Sequence, residues 1–296
     1  MQEKSPGRMN LAFVPVILLC YPLYKNYATI YAHIYHNQNN GGSMYKKYFA
    51  WSFDDGLEQD KRIIGILKRY GMGATFHLNS GLFGDKTYIG RIGNLGMLEQ
   101  PTEKYEAKKH HLLPSVPHFR IPEDELKEVY AGFEIASHTI SHVNLARCSE
   151  EERLHQIKDD AAALSELFGQ EVTGFAFPYG AGAKESQNAL RQAGIHYARL
   201  AMSNPTFRFP DDPLAMPLSC WHISPKTFRL IDQFIQKEPE EDDLFFLMFA
   251  HGYEFDFGTR ESSWTKFDQI CRTVSAQKDI ICCSIGDAFR HHENKE

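Results

Sequence analysis

From Tyr48 onward, short apolar runs alternate with stretches whose apolar residues recur at helical spacing. Tyr48 to Phe53 is a β-type run. Glu58 to Tyr70 carries Ile63, Ile64, Ile66 and Leu67 on a helical period and stops at Gly71. Ala74 to Leu78 reads as a second strand. Gly81 to Arg120, rich in Gly, Pro and His, reads as a long irregular insertion. Pro122 then opens a short helix through Leu126, since proline suits a first turn. Phe133 to Ser137 is a strand. Ser149 opens a helix to Phe168, with Glu152 completing a capping-box pattern. Thr173 to Phe177 reads as a strand, Lys184 to Ala193 as a helix, and Tyr197 to Ala201 and Leu218 to Ile223 as strands. Lys226 to Gln236 follows as a helix. Leu244 to Phe249 is continuously apolar, the mark of a strand buried on both faces. Ser262 to Ser275 is a helix, Ile280 to Ser284 a strand, and Ile285 to His291 a terminal helix.

Repeated strand–helix units predict an α/β fold with parallel strands and crossover helices. About seven or eight such units suffice to close a barrel. Reactive groups of such barrels sit at the C-terminal ends of the strands. Asp54, Asp55, His138, Pro178, Tyr179, Arg199, His222 and His251 all fall at or near predicted strand ends.

The first 43 residues do not follow this pattern. Leu11 to Tyr24 is an apolar run broken by Pro15 and Pro22, with Lys4 and Arg8 ahead of it. It is short for a membrane span and suited to a signal-peptide core. No small-x-small cleavage site follows it. The alternative is a mis-assigned start: Asn40-Gly41-Gly42-Ser43 reads as a translated ribosome-binding site ahead of a start at Met44. The favoured expectation is a single catalytic domain over 44–296 in the cytoplasm. A genuine leader would instead make the protein secreted or membrane-anchored.

Composition is that of an ordinary globular protein. The formal net charge of −6 gives no basic footprint, so nucleic acid is not an expected partner. The six cysteines, Cys20, Cys148, Cys220, Cys271, Cys282 and Cys283, show neither CxxC spacing nor a disulfide framework. They read as core-type thiols of a reducing compartment. Cys282 and Cys283 are neighbours in a predicted strand and should face opposite ways.

Three segments carry chemistry: Ser52-Phe53-Asp54-Asp55-Gly56, Ser137-His138-Thr139-Ile140-Ser141-His142 and Ala250-His251-Gly252. Taken singly, Asp-Asp-Gly is a common turn or helix cap, and two spaced histidines are a common surface pair. In order, and each after a β-rich run, they supply two carboxylates and three imidazoles to one face. Two His and one carboxylate with open positions make a hydrolytic metal centre. The remaining Asp and His are then free for proton transfer.

These segments, with Phe175-Ala176-Phe177-Pro178-Tyr179-Gly180, resemble the motifs of the polysaccharide deacetylase family. This is the NodB-homology domain of carbohydrate esterase family 4, a distorted (β/α) barrel. The resemblance covers roughly Tyr48 to Phe289. It implies that Asp55, His138 and His142 hold one divalent metal ion, zinc first, with cobalt, nickel or manganese as alternatives. It implies Asp54 as general base, the backbone N–H of Tyr179 as an oxyanion donor and His251 as general acid. The spacing agrees: adjacent residues at a strand end diverge, and His at i and i+4 share one face of a helical turn. An amine leaves poorly unless protonated, which suits the third histidine.

Two positions depart from the family pattern. The usual Arg two residues before the Pro is Ala176 here, and the usual Asp-Trp motif is not evident. Arg199, on the next predicted strand, is the candidate to restore the positive charge. Glu254 or Asp256 is the candidate to orient His251. Pro178, Trp221 and His222 are candidates for lining the sugar site. His118, His196 and Asn144 read as ordinary residues, and His110, His111, His291 and His292 as solvated pairs. The insertion follows a strand end and should sit on the catalytic face.

The expected function is metal-dependent removal of acetyl groups, N-acetyl before O-acetyl, from a carbohydrate. No obligate protein partner is implied. The alternatives are a hydrolase of a small non-peptide amide in the same superfamily and a non-catalytic glycan-binding barrel that keeps its metal. Retention of Asp54 with His251 speaks against the latter, since a binding protein has no use for a proton-transfer pair.

Overall fold

The computed structural model describes residues 45–91, 97–100 and 115–294. The leader, the Met44 start, Cys20, His110 and His111 lie outside the described residues.

In chain order the elements are β1 (Lys47–Asp54), α1 (Asp60–Tyr70), β2 (Ala74–Leu78), β3 (Lys86–Arg91), β4 (Met97–Gln100), β5 (Val116–Phe119) and α2 (Glu123–Val129). There follow β6 (Glu134–Ser137), α3 (Glu150–Phe168), β7 (Gly174–Ala176), α4 (Ala183–Gln192), β8 (Tyr197–Ser203), β9 (Met216–Leu218) and β10 (Cys220–Trp221). The last are α5 (Thr227–Gln236), β11 (Leu244–His251), α6 (Trp264–Ser275), β12 (Ile280–Cys282) and α7 (Ile285–Glu293). The α1 helix ends where expected, at Gly71, whose φ of 63° is the left-handed cap that glycine adopts without strain.

Nine strands form one parallel sheet in the order β10-β11-β1-β2-β6-β7-β8-β9, with β12 also paired to β1. The order itself shows that the sheet curls round. Its two ends, β9 and β10, are separated in the chain by Ser219 alone. Ser219 exchanges hydrogen bonds with Leu247 of β11: its N–H donates to the Leu247 carbonyl and its Oγ accepts the Leu247 N–H, both at 3.0 Å. This junction splits the expected Leu218–Ile223 strand in two and nearly closes the barrel. Splitting one of the eight strands read from the sequence gives the nine of the sheet, against the roughly seven expected of the family barrel.

Strand parity assigns the two faces. Phe49, Trp51 and Phe53 of β1 pack into a large cluster with α1 and α3 to α6. Tyr48 and Ala50 join Tyr197, Leu247 and Phe249 in a second cluster, whose helical members among the described residues, Ile285, Ala288 and Phe289, come from α7. The second cluster is the barrel interior, with α7 packed into it. Alternation then aims Asp54, Arg199 and His251 inward as well. The β11 strand contributes Phe246 and Met248 outward and Phe245, Leu247 and Phe249 inward, so it is buried on both faces as expected. Cys282 packs against the outer cluster and Cys283 belongs to the inner one. The five described cysteines are free thiols.

The insertion is not irregular throughout. It contains β3, β4 and β5, an antiparallel sheet in the order β4-β3-β5. Its Gly, Pro and His content masks the alternation on which a strand reading depends. Backbone bonds tie it to the loop after β1: Glu58 N–H to the Phe119 carbonyl at 2.8 Å and Ile121 N–H to the Gly56 carbonyl at 2.9 Å.

At the start of α1, Asp60 is fully buried. Its Oδ2 accepts the Tyr130 hydroxyl at 2.7 Å and the Leu57 N–H at 3.1 Å, while Oδ1 has no hydrogen-bond partner. Burial pushes this carboxyl up from 3.8 to about 8. The folded chain therefore keeps a proton that the unfolded chain loses above its ordinary carboxyl pKa. Folding stability must fall as pH rises from about 4 to about 8 through this group. Asp60→Asn removes the titration. The thermal midpoint of the variant relative to the parent should therefore be higher at pH 8 than at pH 5. An equal difference at both pH values would show Asp60 to be ionised in the fold.

Candidate active site

The ends of β1, β6 and β11 deliver the three motifs to the C-terminal mouth of the barrel. Asp54 is the last residue of β1 and pairs in register with His251 of β11 and His77 of β2. Asp55 follows with φ of 79°, so its carboxylate diverges from that of Asp54. The two carboxylates are 3% and 5% exposed.

Asp55, His138 and His142 offer ligand atoms that all lie within 4.8 Å of one another. His142 Nε2 is 3.6 Å from Asp55 Oδ1, and His138 Nε2 is 3.7 Å from Asp54 Oδ2. His138 Nδ1 lies 2.8 Å from the Ala176 carbonyl, which can only accept. The ring proton is therefore on Nδ1, and the Nε2 lone pair faces the site. Burial holds His138 down to about 3 and pushes His142 down too, so both imidazoles are neutral. Two neutral imidazoles and an ionised carboxylate are the donor set a divalent ion takes, and the residues fit one.

The two histidines do not share a helical turn as their spacing suggested. They sit on a loop in which Thr139 and His142 have φ of 67° and 52°. Asp160 of α3 holds this loop, accepting the Ser137 hydroxyl at 2.6 Å and the Ser80 N–H at 2.8 Å. Asn79 donates to the carbonyls of His138 and Thr139. Among the described residues, five that are not glycine have positive φ, and four of them, Asp55, Thr139, His142 and Tyr179, lie here. Such strain is characteristic of functional sites.

Asp54 is gripped by Arg199, whose Nη2 reaches both carboxylate oxygens. Arg199 is fully buried and its guanidinium lies over the Phe249 ring, 4.3 Å from the centroid. It stands directly across from Ala176 in the β7–β8 register. Arg199 thus brings a positive charge to Asp54 from the strand next to Ala176. His77 Nδ1 is 3.3 Å from Asp54 Oδ1. Burial alone would raise the Asp54 carboxyl, but Arg199, His138 and His77 outweigh it and hold it well below the carboxylate range.

On the far side, His251 Nε2 is 3.9 Å from Asp55 Oδ2, and its Nδ1 is 3.6 Å from Glu254 Oε1. Glu254 is fully buried and its Oε2 accepts the His251 N–H at 2.9 Å and the Trp221 indole at 3.2 Å. Asp256 turns away to Gln59 and Trp264. Gly252 lets the chain pass α1 closely, since a Cβ there would come within 2.8 Å of Gln59 Cβ. Burial alone would lower His251, but Glu254, Asp55 and Asp54 raise it to about 9.

The remaining candidates divide. Tyr179 is 69% exposed, with its ring 4.7 Å from that of His142. His222 and Pro178 are buried. His222 Nε2 meets Ser262 Oγ at 2.8 Å, and its Nδ1 is 3.3 Å from Glu254. Trp221 is half-buried with its indole N–H on Glu254. His292 is no solvated pair member: it lies 3.1 Å from Asp243 and stacks on Phe209. Asn144 caps the short Leu145–Arg147 turn.

Sequence reading passed over His77, His118 and Arg120. His118 Nε2 is 3.0 Å from Asp55 Oδ2, and Arg120 Nη2 is 3.4 Å from Asp55 Oδ1. The available signal was the alternation Val116-Pro117-His118-Phe119-Arg120, which puts His118 and Arg120 on one face.

Comparison with known proteins places the chain. The sequence profile described as Polysaccharide deacetylase matches residues 41–198, over half of the chain. The match takes in Asp54, Asp55, His138, His142 and Tyr179 but stops short of Arg199 and His251. YxkH of Bacillus subtilis (strain 168), provisionally named a polysaccharide deacetylase, is 27% identical over 146 residues, 48% of this chain and 40% of that protein. The chain thus aligns with less than half the length of that relative. A Mycobacterium smegmatis crystal structure, also provisionally named a polysaccharide deacetylase, shares the fold: TM-score 0.53, 14% identity, 86% of this chain and 93% of that one. A Bacillus anthracis pseudoenzyme of carbohydrate esterase family 4 superposes with TM-score 0.49 at 16% identity, over 83% of this chain and 66% of that one.

The ion pair behind His251 gives a direct test. In metal-free protein the His251 ring should titrate near 9, above an ordinary imidazole. Glu254→Gln removes the carboxylate that stabilises the imidazolium, so the midpoint should move down. Proton NMR of the imidazole signals measures both. A midpoint unmoved by the substitution would place the charge partner of His251 elsewhere.

Proposed function

Since the chain belongs to the polysaccharide deacetylase family of hydrolases, we propose that it removes N-acetyl groups from a carbohydrate with the help of one bound divalent ion, zinc first. The observation that carries this reading is the Asp55, His138 and His142 ligand set, flanked by a carboxylate on one side and an imidazole on the other. When bound, the ion would polarise the acyl carbonyl and acidify a water molecule.

The chain's own groups do the rest. Asp54 is the proton acceptor for the attacking water. Arg199 keeps it ionised and fixes its direction, so it accepts without reorientation. The backbone N–H of Tyr179, on the strained turn Pro178–Gly180 beside His142, is assigned to the developing oxyanion. His251 protonates the leaving nitrogen. Glu254, 3.6 Å from the His251 Nδ1, favours the charged imidazole, which is the state a general acid needs. An amine departs only when protonated, whereas an alkoxide of an activated ester needs no such help. A proton-donating imidazole at this position suits an N-acetyl substrate. Burial of both carboxylates keeps water from screening these charges.

Acetate release from a panel of acetylated glycans, with and without chelator, tests the activity. Purified protein should hold about one zinc-class ion per chain, and His138→Ala should lose it. Asp54→Asn should keep the ion while turnover falls by about 10²-fold or more. Full metal occupancy in His138→Ala would refute the ligand set, and unchanged acetate release in Asp54→Asn would remove Asp54 from the mechanism.

A further inference from the structure

We propose that His118 and Arg120, carried into the site by the inserted sheet, are positioning residues that hold the Asp55 carboxylate in its metal-binding orientation. The inference rests on the reading of Asp55, His138 and His142 as the ligand set. Asp55 follows the end of β1 in a left-handed conformation, so its strand does not fix its side chain. Something else must set the carboxylate plane.

Along the end of the insertion, Val116, His118 and Arg120 are buried, while Pro117 is exposed and Phe119 half-buried. This period of two aims His118 and Arg120 the same way. The bonds from Glu58 to Phe119 and from Ile121 to Gly56, with a bridge between Leu57 and Arg120, fix the register of this segment against the residues just after Asp55. The two side chains therefore arrive at Asp55 from a backbone that is itself paired.

Each donor takes a different oxygen. His118 Nε2 meets Oδ2 at 3.0 Å and Arg120 Nη2 meets Oδ1 at 3.4 Å. The Thr87 hydroxyl lies 3.3 Å from His118 Nδ1 and 3.4 Å from the His118 carbonyl, which steadies the ring, and Nε2 is the ring nitrogen that can donate to the carboxylate. The longer Arg120 contact leaves room at Oδ1, the oxygen nearer His142, for an ion. A donor on the far oxygen and a guanidinium beside the near one fix the rotation of the carboxylate. Groups that orient a metal ligand in this way typically change metal affinity about 10–100-fold when lost.

The experiment is zinc titration of the metal-free full chain against a chromogenic chelator, with apo thermal midpoints as the measure of folding. His118→Phe keeps a ring against Tyr253, 5.2 Å away between centroids, but has no donor. His118→Gln keeps an N–H donor. His118→Phe should bind zinc about 10–100-fold more weakly, with His118→Gln restoring most of the loss. Arg120→Met should weaken binding in the same sense and provides an independent arm if His118→Phe lowers the apo midpoint. Parental zinc affinity in folded His118→Phe and Arg120→Met would overturn the proposal. So would His118→Gln binding as poorly as His118→Phe. His138→Ala separates the two readings. If it keeps zinc, the ligand set and the proposed function fall. If it loses zinc while His118→Phe does not, only this inference falls.

Discussion

Two adjacent carboxylates are buried at the mouth of the barrel, and much of the structure follows from having to compensate them. An uncompensated buried carboxylate would take up a proton or open the fold. Asp54 is compensated by Arg199, 145 residues further along the chain. Asp55 is compensated by His118 and Arg120 from the insertion, with His142 and His251 nearby. The charge requirement therefore ties together β1, β5, the end of β6, β8 and β11. Removing Arg199 or Arg120 leaves a buried carboxylate short of its counter-charge, the costly half of a buried ion pair.

The barrel makes this convergence possible at low cost. Parallel strands in register align their last residues at one rim, as the Asp54–His251 and Asp54–His77 pairings show. The inward parity of β1, β8 and β11 then decides which side chains meet. Because β9 and β10 are one residue apart at opposite ends of the sheet, Arg199 can reach across to Asp54 inside a curled structure. An open sheet with the same strand order would leave Arg199 on a remote strand.

Within the site, environment separates groups of like chemistry. Asp54 beside Arg199 is kept ionised, whereas Asp60, buried against Tyr130 and a backbone N–H, is pushed toward neutrality. His138 and His142 are driven neutral by burial, whereas His251, facing Glu254, is kept charged. Acid, base and ligand roles need different protonation states at one pH, and neighbours set them. The buried carboxylate of Glu254 comes from the turn after β11 and meets the Trp221 indole, so His251 is supported by its own strand end rather than by a separate motif.

The sequence by itself determined the alternating α/β architecture and the strand-end positions of Asp54, Asp55, His138 and His251. These rest on short-range signals: hydrophobic period, helix stops and residues a few positions apart. It also pointed to Arg199 and Glu254, because both lie close to those signals. It could not give the loop that brings His138 and His142 together, which is shaped by Asp160 and Asn79 rather than by helical spacing. Nor could it show that His222 is enclosed, or that β5 lies against the residues after Asp55. Those depend on which segments pack together across tens of residues, and no local period encodes that. The His118–Arg120 alternation is visible in the chain, but only the tertiary structure shows that its face meets a carboxylate and not water.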